Sequence, residues 1–313
     1  MTRARIVFYI ALFALFLALP SLVSVKYYVH LSVLALIWVI VAQGQNIIQG
    51  LTGYVSIVGA GFMGIGAYSS ALMSTEWDLP VWLTVLIAPF VTALFAVIAG
   101  YPSLRVKGHY FAIVTLAFNM VIFIVLLNFT DLTNGEAGIA GIPKPGIRGT
   151  ILDFGDRERF YYLVLVVAAL MTLLAALIAR SRIGRIWLAI RQNEDLTGAV
   201  GVAAWKFKLL AFVASAIYAG LAGALYAHYQ AFINPTIFGI AQSLDAILAV
   251  IIGGSGTILG PIIGAFVVIF LPEYLRFADS LRLVIYGLIL VLATIFMPRG
   301  IVGLGRDTVA RFR

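Results

Sequence analysis

Residues 109–128 read HYFAIVTLAFNMVIFIVLLN, twenty consecutive positions without a charged side chain. A helix of that length rises about 30 Å, the thickness of a bilayer's hydrocarbon core, and satisfies its backbone polar groups within itself. Working outward, comparable apolar runs lie at 6–23, 27–48, 54–74, 80–101, 160–179 and 209–229. The apolar stretch from 243 to 298 is interrupted by Gly253, Gly254, Gly256, Gly260 and Pro261. It divides into a short segment at 243–253 and spans at 258–276 and 281–298, giving an expected total of ten.

Composition agrees. Of 313 residues, 63% are hydrophobic and 11% charged, against roughly a quarter charged in a soluble domain. Such a chain has too little polar surface to face water, and a bilayer supplies the apolar partner. The formal net charge of +8 fits basic residues that hold loops in the cytoplasm. It does not suggest nucleic acid, because no basic run is interleaved with stacking aromatics. The absence of cysteine excludes disulfides, thiolate metal sites and a cysteine nucleophile. Arg3 and Arg5 followed by Ile6–Leu19 read as an uncleaved first span, with a cleaved leader as the other reading.

Lys and Arg set the orientation. Residues 180–208 hold Arg180, Arg182, Arg185, Arg191, Lys206 and Lys208 against Glu194 and Asp195, and are assigned to the cytoplasm. The loop 129–159 balances Lys144, Arg148, Arg157 and Arg159 against Asp131, Glu136, Asp153, Asp156 and Glu158, and is assigned outside. Arg105 and Lys107 then fall inside, as do Arg299, Arg306, Arg311 and Arg313, so both termini are expected in the cytoplasm. The whole chain, 1–313, reads as one transmembrane domain.

Two glycine-rich passages lie within this apolar framework. The first carries Gly53, Gly59, Gly61, Gly64 and Gly66, with Ser56 among them, and follows Gln43, Gln45, Asn46 and Gln49. The second runs from Gly253 to Gly264. Such glycines either let helices pack closely or allow unwound backbone beside a cavity, and the sequence leaves both open. The neighbouring amides favour the first passage as lining a pathway, since polar groups facing lipid are costly. Asp245 reads equally as a functional acid or as a complement to a helix dipole. Asn119 and Asn128 are expected to bond between helices. His30, His109 and His228 sit in separate segments without paired carboxylates, so no metal site is expected.

Gly184–Val202, GRIWLAIRQNEDLTGAVGV, reads in part as a short helix, either docking on a partner or lying on lipid headgroups. No Gly-Lys dipeptide occurs, so the chain holds no phosphate-cradling Walker loop. Any ATP, with its Mg, is expected on another subunit, and no cofactor is expected here. Gly253-Gly254-Ser255-Gly256 is similar to the serine motif of rhomboid-type proteases, but no histidine follows His228 to act as base. No catalytic residue is assigned.

Seven stretches in order resemble the LivM-type permeases of branched-chain amino acid ATP-binding-cassette importers. They are GFMGIGAY from Gly61, KGHYFAIVTLAF from Lys107, GIAGIP from Gly138, GRIWLAIRQNEDLTGAVGV from Gly184, KLLAFVASAIYAGLAGALYA from Lys208, GGSGTILGPIIGA from Gly253 and FMPRGIVGL from Phe296. The resemblance covers nearly the whole chain. It implies an all-α type II-like importer fold with broken helices at Gly253, Gly254, Gly256 and Pro261. It also implies a bacterial inner-membrane location, a homologous LivH-like permease, two ATPase subunits and a periplasmic solute-binding protein.

Within that scheme 180–208 is the coupling segment, with Arg191, Glu194, Asp195, Ala199 and Gly201 as ATPase contacts. The pathway is expected at Gln45, Asn46, Ser56, Gly59, Gly61, Gly64, Asn119 and Asp245. Relatives often carry a histidine where this chain has Gly59, so the cargo is a branched-chain amino acid or a related small polar solute. The rival reading is a stand-alone ion-coupled carrier, for which Asp245 and Glu273 are the candidate buried acids.

Overall fold

The computed structural model describes residues 16–20, 25–146, 154–275, 284–285, 287–288, 291–292 and 300–303. Most of the spans expected at 6–23 and 281–298 lies outside the described residues, as do Arg3, Arg5, Arg148, Asp153, Arg299, Arg306, Arg311 and Arg313.

Helix α1, Lys26–Gln45, continues through a π-helical turn at Asn46–Leu51. There follow α2 (Gly59–Thr75), α3 (Val81–Ser103), α4 (His109–Asn128) and α5 (Arg157–Arg180). Two short helices, α6 (Arg182–Gln192) and α7 (Glu194–Ala199), lead into α8 (Ala204–Gln230). Helices α9 (Ile240–Gly253) and α10 (Leu259–Tyr274) follow. By length and composition, six helices among the described residues can cross a membrane. Helices α2 and α10 are apolar but shorter, at 17 and 16 residues.

Helix α4 has the bounds its hydropathy predicts, because Gly108, at φ 59°, and the loop from Phe129 punctuate it. The span predicted at 54–74 begins later, at Gly59, since residues 53–56 are non-helical. Helix α8 begins earlier than predicted and takes in Lys206 and Lys208, because a helix can extend past the apolar region into water.

Helix α8 is the centre of the bundle. Phe62 stacks edge-on against Phe212 and Ser70 bonds His228, so α2 and α8 run parallel. Helix α1 runs antiparallel to α8, with His30 bonded to Tyr229 at one end and Gly44 against Tyr218 toward the other. Small residues bring these axes together. A Cβ at Gly66 would overlap the Gly220 carbonyl, and one at Gly223 the Met63 carbonyl, so the two backbones touch. The outward faces of α3 and α4 expose Phe90, Leu94, Ile98, Ile113, Val121 and Val125, an apolar surface suited to lipid.

At the end opposite the basic segment, β1 (Ile139–Ala140) pairs antiparallel with β2 (Phe232–Ile233), placing Ile139 opposite Ile233. His228 Nδ1 donates to the Pro143 carbonyl at 2.6 Å, because that oxygen can only accept. The loop is thereby fixed to α8.

Candidate functional site: a polar junction at the basic end of the bundle

Both glycine-rich passages turn the chain at the end that carries α6 and α7. The second is not a break along one helix. It reverses direction, with Gly253 packed on Gly260 and Gly264 on Ala249, so α9 and α10 are antiparallel neighbours. Gly254 and Gly256 adopt φ of 126° and 76°, which glycine alone tolerates without strain. Pro261 lies in the first turn of α10, where its missing N–H costs nothing. Of the four residues expected to break a helix, Gly254 and Gly256 form the turn. Gly253 packs and Pro261 starts a helix.

The amides of α1 bind the two turns together. Asn46 Nδ2 donates to Thr257 O at 2.9 Å, and Gly256 N donates to Asn46 Oδ1 at 2.8 Å. Gln43 Nε2 donates to Ile258 O at 2.9 Å. Gln45 Nε2 reaches the first turn, donating to Ser56 O at 2.9 Å. Each side chain sits on a helix face and supplies a partner to backbone that has left regular structure. These groups are buried within the chain.

The start of α2 is held similarly. Ile57 N donates to Thr115 Oγ1 (3.0 Å), Ala60 N to Ser243 Oγ (2.9 Å) and Gly61 N to Asn119 Oδ1 (2.7 Å). The bonds to Ala60 and Gly61 satisfy donors that a helix N-terminus leaves orphaned, and the one to Ile57 fixes the chain entering it. Gly59, Gly61, Ser56 and Asn119 thus come together, and Gly64 lies close by against Phe238 and Leu126. Thr115 and Ser243 were not legible as site residues, since one hydroxyl in an apolar helix carries no distinguishing signal. Asp245 lies past the first turn of α9, where an acid would complement the dipole. Asn128 bonds Ile124 O of its own helix rather than a neighbour.

The basic segment adds charge. Helix α6 is capped by Ser181, whose Oγ accepts from Gly184 N, and α7 by Asn193, whose side chain accepts from Leu196 N. Arg191 donates to the Gly50 carbonyl, and a Cβ at Gly256 would meet its guanidinium at 2.8 Å. One arginine therefore lies against both turns. Glu194 points inward as well, bonded to Lys208 Nζ at 2.7 Å and to the Tyr54 hydroxyl. Burial opposes its charge, but hydrogen bonds from Lys208 and Tyr54 and the Lys208 and Lys107 charges hold its carboxyl below the usual value. Asp195 faces water and pairs with Lys107 at 2.6 Å, which holds its carboxyl low. Ala199 and Gly201 are exposed, as are Leu196 (66%) and Val200 (78%).

Long apolar helices of alternating direction, joined at one end by a polar, charge-paired junction, define a polytopic membrane protein of the transport-permease class. The chain belongs to the family described as "Branched-chain amino acid transport system / permease component", whose profile matches residues 27–294. As a member it is a transport component and not an enzyme. It is similar to the high-affinity branched-chain amino acid transport system permease protein LivM of Escherichia coli K12. The two are 33% identical over 96% of this chain and 75% of that protein. It is also similar to the permease protein LivH of Salmonella typhimurium, 28% identical over 85% of this chain and 91% of that one. The ribose import permease protein RbsC of Haemophilus influenzae is 27% identical over 77% of this chain and 74% of that one. No solved structure gives a significant match.

Proposed function

We propose that this chain is the membrane subunit of an ATP-binding-cassette importer for branched-chain amino acids or a related small polar solute. It works by alternating access driven by ATPases in trans. Residues 1–313 form one permease domain crossing a bacterial inner membrane ten times, with a type II-like fold and both termini in the cytoplasm. A LivH-like permease completes the pore, two ATPases bind ATP and Mg below, and a periplasmic binding protein delivers the solute. The names of the LivM and LivH relatives support the amino-acid cargo and the second permease.

One observation carries the docking role of residues 180–208. On a permease, Leu196 and Val200 stand 66% and 78% exposed beside Ala199 and Gly201, at the end where basic residues gather. An apolar, small-residue face that the described residues leave uncovered suits a partner's groove. Asp195 borders that face, whereas Glu194 turns inward and Arg191, itself exposed, reaches back to the Gly50 carbonyl. The pathway is proposed beside Gln45, Asn46, Ser56, Gly59, Gly61, Gly64, Asn119 and Asp245.

The test is uptake into vesicles containing the chain with its partner permease, the ATPases and the binding protein. Labelled leucine, isoleucine and valine are expected to accumulate with ATP and not with a proton gradient alone. Uphill uptake by the chain alone under a proton gradient would establish the ion-coupled carrier instead.

A further inference from the structure

Lys208 is 2% exposed, in the first turns of α8. Its ammonium lies 2.7 Å from Glu194 Oε1, 3.3 Å from the Tyr54 hydroxyl and 4.6 Å from the centroid of the Tyr54 ring. The Tyr54 hydroxyl in turn donates to Glu194 Oε2. The two oxygens of one carboxylate are therefore held by two different elements, a spanning helix and the turn before α2. A buried ion pair is a poor source of stability, since apolar packing serves as well or better, and its best-attested use is to fix one geometry.

The geometry fixed here is that of α6 and α7 against the first turn. Arg191 holds the turn at Gly50 and Glu194 holds it at Tyr54. Beyond Tyr54 the turn is fastened to Gln45 through Ser56 and to Thr115 through Ile57, and then becomes α2. The neighbouring pair of Lys107 and Asp195 is solvated, with side chains 63% and 85% exposed, and a solvated pair fixes geometry only weakly.

We infer that Lys208 is a positioning residue which, through Glu194 and Tyr54, fastens the docking face of α7 to the base of α2. A displacement of that face is thereby carried into the membrane. This rests on the reading that ATPases move α6 and α7, and deepens it. Leu196 and Val200 receive the force, and the buried cluster passes it on.

The test uses the complete importer in vesicles, comparing Lys208→Met, Glu194→Gln and Tyr54→Phe with the parent. Complexes are expected to co-purify, with uptake falling about ten-fold while ATP hydrolysis stays within about two-fold, the range of ordinary coupling energies. The double variant Glu194→Gln/Lys208→Met should be no worse than Lys208→Met alone. Because the chain lacks cysteine and is labelled before it is assembled with its partners, Val55→Cys and Gln192→Cys give a unique label pair within it. Its distance should stay constant on ATP binding in the parent and change in Lys208→Met.

Normal uptake in an assembled Lys208→Met complex overturns the inference. If Lys208→Met fails to assemble, Tyr54→Phe decides it, since the ring and the ion pair remain. A parent complex that takes up nothing with ATP sinks the functional reading instead, and is told apart by that control.

Discussion

The turn at 53–58 is hydrogen-bonded from several elements at once, whereas the turn at 254–258 takes its side-chain bonds from other elements through two amides of α1. Gln45, Thr115, Glu194 and Lys208 all reach the first turn or its tyrosine. The second turn is held by Gln43 and Asn46, and by its own Thr257, whose Oγ1 donates to Gly254 O. The first is therefore hydrogen-bonded to the cytoplasmic segment, whereas the second touches it at Arg191 and takes its side-chain bonds from α1. Gly50 makes that arrangement possible, because a Cβ there would collide with Asn46 Oδ1 and Gly256 N.

The largest expected effect tests the dependence of the second turn. Asn46→Leu leaves the part-buried Gly256 N–H and Thr257 carbonyl without their side-chain partner, at up to about 2 kcal/mol each and about 4 kcal/mol together. Thermal unfolding in detergent should show the loss, and an unchanged Tm would mean that the second turn stands alone. Glu194→Ala leaves the Lys208 ammonium without its counter-charge and should cost about 3 kcal/mol. That is the lower end of the usual range, since the Glu194 side chain keeps 19% exposure.

Gln43→Leu removes one bond and also an amide oxygen that has no partner among the described residues. The two changes offset, so the loss should be about 1 kcal/mol or less. Asp195→Asn removes a solvated pair and should leave the melting temperature unmoved. A large shift there would erase the contrast between the two carboxylates.

Acid sharpens the same contrast. The Glu194 carboxyl titrates below its ordinary value of 4.5, so its contribution is complete above that value and is lost as pH falls through the depressed one. Stability from this pair should be flat from about pH 5 to neutral, with a loss on the acid side that Glu194→Gln abolishes.

The spans were legible because an unbroken apolar run has one way to satisfy its backbone in lipid, as 109–128 illustrates. The turn at 53–58 was less so, since Val55, Ile57 and Val58 are as apolar as any helix and Gly53 and Gly59 fit close packing as well as a turn. The amides at Gln45 and Asn46 announced polar chemistry within the membrane. Their partners, Ser56, Gly256 and Thr257, include residues up to 211 positions away that only the fold brings near. Lys208 was counted as an orientation charge, because a lysine at the foot of a span usually reaches water. Its burial follows from the position of Glu194 on α7. Glycine was ambiguous for a similar reason, as close packing at Gly66 and a turn at Gly256 require the same missing side chain.

Where Gly66 meets Gly220 and Gly223 meets Met63, main chain rests on main chain with no side chains to act as bearings. Helices seamed in this way cannot slide past one another by repacking rotamers, so α2 and α8 travel as one beam. A solute route cannot part them. Whatever opens in this protein opens around that beam, along faces where larger side chains can swing aside.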